Sequence, residues 1–130
     1  MDRVFLDANV LFSIAYGSPD FTPLLDLARS GRIALLASHY VLGEAERNLK
    51  QVHHRAALES LRGTLEIVPP PPEGADCPEP LNPKDQPVLM AAISAGATHL
   101  LTGDRRDFGA LYRKRILGVL VLPPVEYRPA

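Results

Sequence analysis

Four acidic side chains occupy positions where their chemistry can be shared. Asp7 ends the unbroken apolar run Val4-Phe5-Leu6, and Asp104 ends His99-Leu100-Leu101 after the turn Thr102-Gly103. Short all-apolar runs read as strands buried on both faces of a parallel sheet. Ligands of such sheets bind beyond the carboxyl ends of the strands. Asp85, in Asn82-Pro83-Lys84-Asp85-Gln86-Pro87, opens a helix. Glu44 lies in a helix that Ser38 is placed to cap. At about 100° per residue, Glu44 and Glu46 fall on opposite flanks of that helix's apolar face, so helical geometry leaves the two equal. Each acid also has a purely structural role to play: Asp7 as a helix N-cap, Asp104 in a Gly-Asp turn, Asp85 near a helix dipole, Glu44 as a solvated charge. The repetition of strand-then-aspartate at Asp7 and Asp104 favours a shared function.

Carboxylates a few ångströms apart repel, and their pKa values rise unless a cation sits among them. A set of Asp and Glu oxygens with no histidine or cysteine partner suits a hard divalent ion, Mg2+ or Mn2+. Such an ion can activate water for in-line attack on a phosphodiester and neutralise charge on the transferring phosphoryl group. Near the acids, Asn9 can orient Asp7, and Thr102 can donate its hydroxyl to a carboxylate. Arg105 and Arg106, followed by Arg113, Lys114 and Arg115, can cradle a phosphate backbone or form an ordinary solvated face. His53-His54 lacks any metal-ligand spacing and reads as a surface pair.

The elements that must position these residues alternate. Strands are expected at Val4–Leu6, Ile33–Ala37, Leu65–Val68, His99–Leu101 and Leu117–Leu122. Helices are expected over 9–16, 21–29, 38–50, 53–62, 87–95 and 108–115, with Asp107 as the N-cap of the last. This is an α/β pattern with a mostly parallel, five-stranded sheet. Residues 69–83 hold seven of the thirteen prolines and can be neither regular helix nor central strand. They read as a surface excursion, because neither side is large enough to fold alone. One domain spanning 1–130 is expected.

Composition narrows the partners. The 130 residues are 46% hydrophobic, enough for one core, with a formal net charge of −1. No overall basic charge advertises nucleic acid, so a polyanion would have to be held by a local basic patch or a metal. Cys77 is the only cysteine, which excludes an internal disulfide. The opening residues lack the features of a secretory signal, and no apolar run reaches membrane-span length. A reduced, cytoplasmic setting is expected.

The motifs, in order, resemble those of PIN domains. Val-Phe-Leu-Asp-Ala-Asn-Val-Leu-Phe-Ser at 4–13 resembles the opening strand and metal-binding aspartate. Ser38-His-Tyr-Val-Leu-Gly-Glu44 resembles the second motif, and this alignment selects Glu44 over Glu46. Asn82-Pro-Lys-Asp85 before Val88-Leu-Met-Ala-Ala resembles the third. Leu101-Thr-Gly-Asp104-Arg-Arg-Asp107-Phe resembles the fourth, with Asp107 at a further acidic position of some members. The resemblance spans nearly the whole chain and is strongest to bacterial single-domain, VapC-like toxins. It implies a three-layer α/β/α sandwich and a site in which Asp7, Glu44, Asp85 and Asp104 bind one or two divalent ions, supported by Asn9, Thr102 and Asp107. It also implies single-stranded RNA as substrate, an antitoxin protein as partner, and a homodimer as a common assembly. The departure is the proline run at 69–80, longer and stiffer than the usual link before the third motif. Two other readings compete. A non-catalytic PIN-like module would bind RNA or protein without ions. A receiver-type domain would need an aspartate at position 9 and a lysine after Leu122, where this chain has Asn9 and Pro123-Pro124.

Overall fold

A computed structural model describes residues 1–129. The first strand, β1, is Asp2–Leu6, with Val4, Phe5 and Leu6 wholly buried. It is followed by α1 (Ala8–Ala15) and α2 (Thr22–Arg29), then β2 (Ile33–Ser38), α3 (His39–Asn48), α4 (Val52–Arg62) and β3 (Leu65–Val68). The proline-rich stretch contains no helix or strand, as its composition dictates. After it come α5 (Gln86–Ser94), β4 (His99–Leu101), α6 (Arg105–Phe108), β5 (Arg115–Ile116) and β6 (Val119–Leu122).

The sheet runs in the order β3-β2-β1-β4-β6-β5, parallel except for the last pair. From β1 the chain adds strands first on one side, through β2 and β3, and later on the other, through β4 and β6. The reversal falls between β1 and β4, and at such a switch point the loops beyond the strand ends diverge and leave a crevice. The register pairs Leu6 with Leu101, so Asp7 and Thr102 emerge side by side. Successive residues of a strand point to opposite faces, and Val4, Phe5 and Leu6 of β1, Leu35 and Leu36 of β2, and Leu100 and Leu101 of β4 are all buried, so both faces of the sheet are covered. No helix among the described residues is long and apolar enough to cross a membrane.

The sheet has six strands where the sequence pattern suggests five. The sixth is the two-residue edge β5, which pairs antiparallel with β6. The helix expected over 108–115 is displaced towards the N-terminus, because Asp104 caps α6 by accepting the Asp107 N–H at 3.0 Å. Asp107 is therefore the third residue of that helix and not its cap. A 3-10 turn, Gly109–Leu111, follows. The strand expected from Leu117 begins at Val119 instead. Leu117 and Gly118 form a two-residue hairpin loop with φ of 47° and 92°. Positive φ at both central residues is what a type I′ turn needs, and its twist matches that of the flanking strands.

Leucine is a poor residue for that conformation, and Leu117 is 71% exposed. The substitution Leu117→Asn should stabilise the fold by about 1 kcal/mol, because asparagine tolerates the left-handed region. A higher urea midpoint with an unchanged slope would show it.

Candidate metal centre

At the switch point, Asp7, Asn9, Phe12, Glu44, Asn48, Lys84, Asp85 and Asp104 line one open cleft of about 410 Å³. All four acids singled out by sequence are among them. Glu44 is half-buried in the cleft wall while Glu46 is exposed, so tertiary packing makes the choice that helical geometry left open.

Asp7 is 6% exposed and fully engaged. It caps α1, accepting the Ala8 N–H at 2.7 Å through Oδ1. Its Oδ2 accepts from Thr102 Oγ1 at 2.7 Å and from Asn9 Nδ2 at 3.1 Å. The capping role and the site role therefore coincide in one side chain. Thr102 has no exposed surface. Its hydroxyl donates to Asp7 and accepts the Asp104 N–H at 3.1 Å, tying the two strand ends together. Asn9 closes the frame by accepting the Gly103 N–H at 2.7 Å. A Cβ at Gly103 would lie 3.3 Å from that same Asn9 oxygen, so a larger residue there would push Asn9 back by a few tenths of an ångström. Asn9 and Thr102 thus both donate to the Asp7 carboxylate.

Asp85 behaves differently. It precedes α5 but makes no capping hydrogen bond with its side chain, which enters the cleft instead. It is 6% exposed, and its Oδ2 is buried with no hydrogen-bond partner among the described residues. One oxygen each of Asp85, Asp104 and Asp107 lies within 4.8 Å of the others. Asp107 thus joins the acids directly, in a tighter group than the sequence implied, with Asp7 and Glu44 on the surrounding walls. Lys84 Nζ lies 3.0 Å from Asp107 Oδ2 and 3.7 Å from Asp85 Oδ1. Asn82 Nδ2 donates to Asp107 Oδ1 at 3.0 Å.

The crowding shows in the proton affinities. Burial and a hydrogen bond shared with Asp107 push the Asp85 carboxyl up to about 6, against the weaker pull of Lys84. The Asp7 carboxyl is raised by burial, which outweighs its hydrogen bonds from Thr102, Ala8 and Asn9, and the Asp104 charge adds to the rise. Glu44 is raised by burial and by the Asp7 charge. Asp107 is lowered, chiefly by its hydrogen bond from Lys84. Without a proton, Asp85 keeps an unpartnered buried oxygen amid like charges. A divalent cation would satisfy that oxygen and the repulsion together, and an all-oxygen donor set of this kind suits a hard ion such as Mg2+ or Mn2+.

A family model described as PIN domain matches residues 3–106. This chain belongs to the PIN domain family. The match includes all four acids selected by sequence and stops just short of Asp107. Among solved structures, the PIN chain resembles one in VapBC2 from Rickettsia felis bound to a DNA fragment from their promoter. The TM-score is 0.65 at 19% identity, covering 93% of this chain and 98% of that one. It also resembles one in DNA-bound VapBC from Salmonella typhimurium, with a TM-score of 0.58 at 20% identity, covering 95% and 98%. At such identities these likenesses concern the fold. No curated protein matches the sequence.

Sequence reasoning missed several residues of the site. Tyr40, Glu44 and Asn48 recur every four positions, which places them on one helix face, and that spacing would have flagged the two neighbours. Tyr40 donates its hydroxyl to the Lys84 carbonyl at 2.6 Å, which pins the segment that carries Asp85. Lys84 was visible beside Asp85 only as a neighbour in sequence. Tyr112 donates to the Thr102 carbonyl at 2.7 Å and had no local signal. The basic residues are not gathered as one group. Arg105 and Arg106 are exposed on α6, directly after Asp104. Arg113 pairs with Glu126 at 3.2 Å. Arg115 acts on His99, at the start of β4 and thus the opposite end of the strand from Asp104.

The raised Asp85 pKa fixes the sign of two pH effects. The folded chain binds that proton more tightly than the unfolded chain, whose value is the ordinary 3.8. Ion-free stability from this group is therefore full below about 4 and is lost as pH rises through about 6. Asp85→Asn should accordingly raise the unfolding temperature of chelator-treated protein at pH 7 and lose that advantage below pH 4. In the unmodified protein, manganese must displace the same proton, so its affinity by calorimetry should fall as pH drops through about 6. The hydroxyl of Thr102 has a separate test. Thr102→Val strips a donor from Asp7 and an acceptor from the Asp104 N–H, and should weaken manganese binding by about 10–100-fold.

Proposed function

We propose that this PIN domain is a Mg2+- or Mn2+-dependent endoribonuclease that hydrolyses phosphodiester bonds of single-stranded RNA in the cytoplasm. The observation that carries the reading is the buried, unpartnered Asp85 oxygen among converging acids at the carboxyl ends of β1 and β4. A protein that needed these acids only for structure would have paired that oxygen, since a lone buried acceptor costs about 1–3 kcal/mol.

Asp7, Glu44, Asp85 and Asp104 would hold the ion, directly or through water, with Asp107 close behind. Bound there, it supplies an activated water and neutralises charge on the phosphoryl oxygens. The chain's own residues do the positioning. Thr102, Asn9 and the Ala8 N–H orient Asp7, and Lys84 sets the spacing of Asp85 and Asp107. Glu44, with its raised proton affinity, is suited to take a proton released in the cleft. Arg105 and Arg106 would meet the backbone phosphates beside Asp104. Filled acid positions count against a non-catalytic module. The VapBC complexes that share the fold support a role as the toxin of a toxin–antitoxin pair, with a cognate antitoxin protein as partner.

Either Asp7→Asn or Asp104→Asn should lower magnesium-dependent cleavage of single-stranded RNA by about two orders of magnitude or more while the circular dichroism spectrum stays native. Persistent cleavage in both variants would end the nuclease assignment.

A further inference from the structure

Among the described residues that line the acidic cleft, Lys84 alone carries a positive charge. Its Nζ lies 3.0 Å from Asp107 Oδ2 and 3.7 Å from Asp85 Oδ1. Its charge also reaches across the cleft: the Glu44 carboxyl, raised by burial and by Asp7, is drawn back by Arg47 and by Lys84. The acids therefore have a cation of the chain's own among them.

The root of this side chain is fixed and its tip is loose. Tyr40 donates its hydroxyl to the Lys84 carbonyl at 2.6 Å, and the N–H groups of Asp85 and Gln86 both donate to the Asn82 carbonyl, at 2.9 and 3.1 Å. The Lys84 side chain is 62% exposed, and an exposed ion pair on a long flexible stem is weakly held. Asp107 does not depend on it, because Asn82 Nδ2 holds the other oxygen, Oδ1, at 3.0 Å. Asp85 has no such second support: its buried Oδ2 is unbonded among the described residues.

A divalent cation held by Asp85 would compete with the Lys84 ammonium for the same negative charge, and the two would repel. The ammonium is the one that can move off. Because the side chain is exposed, its way off the acids leads to the cleft mouth. There it offers a point charge and three donors, which suit a phosphate.

We propose that Lys84 is a tethered counter-ion: its ammonium balances Asp85 and Asp107 while no ion is bound, and turns to a non-bridging oxygen of the RNA phosphate in the cleft once a divalent cation takes over the acids. The proposal rests on the nuclease reading above and deepens it, since it couples ion binding to substrate binding through one side chain. The spacing that Lys84 gives Asp85 and Asp107 belongs to the ion-free protein. Removing a lysine with a merely structural task would weaken both affinities. Removing a tethered counter-ion moves them in opposite directions.

The test uses Lys84→Met, which removes the charge and keeps an apolar stem. Its manganese affinity by calorimetry should rise by about ten-fold, because a competing cation is gone. RNA binding is read by fluorescence anisotropy of a labelled twelve-nucleotide oligouridine, at saturating calcium to suppress cleavage. There Lys84→Met should bind about five-fold more weakly, with a log–log salt slope shallower by about 0.7, the share of one phosphate contact on a single strand. Lys84→Arg keeps the charge and should return both affinities to near the wild-type values. In the wild type, the proton–nitrogen resonance of the Lys84 ammonium, identified by its absence from Lys84→Arg, reports the movement directly. Its exchange with water should quicken when calcium saturates the site and slow again when the oligouridine is added. Exchange that calcium leaves unchanged would overturn the proposal even if Lys84→Met failed to fold. So would a folded Lys84→Met whose manganese affinity stays level or falls, or whose RNA binding keeps its strength and salt slope. A wild type that binds manganese but no oligouridine would overturn the nuclease reading itself, and the proposal with it.

Discussion

Like charges held together in a half-buried cleft repel, and the rest of the molecule has to hold them in place. Here hydrogen bonds at the strand ends hold Asp7 and Asp104, while Lys84 pairs with Asp107 and Asp85. The parallel register of β1 with β4 delivers Asp7 and Thr102 as neighbours. The Thr102 hydroxyl then joins Asp7 to the Asp104 backbone, and Asn9 joins both to the Gly103 N–H. Each of these atoms is fixed by a strand end or a helix start, so little side-chain entropy remains to be lost when a ligand arrives.

Asp85 comes from a different kind of support. It follows the proline-rich excursion, which carries no regular hydrogen-bonded structure. What fixes it is local: the Asp85 N–H bonds the Asn82 carbonyl at 2.9 Å, and Tyr40 reaches across from α3 to the Lys84 carbonyl. The unusual length of the preceding link therefore does not disturb the acid's place. Pro83 lies inside this clamp, and Tyr40 ties the clamp to the same helix that carries Glu44.

The distribution of positive charge follows from the same economy. Lys84 lies among the acids and lowers Asp107 without neutralising Asp85. Arg105 and Arg106, which form no ion pair among the described residues, lie exposed on α6 directly after Asp104.

Much of the molecule was legible in the chain itself. Unbroken apolar runs at β1, β2 and β4 announced a sheet buried on both faces, because only burial on both sides removes the need for alternation. Strand-then-aspartate at two places announced the site. The misreadings lie where short-range competition decides: Asp104 and Asp107 could both cap a short helix, and Leu117-Gly118 could extend a strand or turn it. Periodicity cannot resolve such ties over two or three residues. By itself, then, the sequence determined the fold class and the two strands that run into Asp7 and Asp104, and its helical periodicity left Glu44 equal to Glu46. Only the tertiary structure decided that Glu44 and not Glu46 faces the cleft, that Asp107 joins the acids, and that Lys84 meets Asp107. Those outcomes depend on contacts between residues distant in the chain, whose distances are set by how helices pack on a finished sheet.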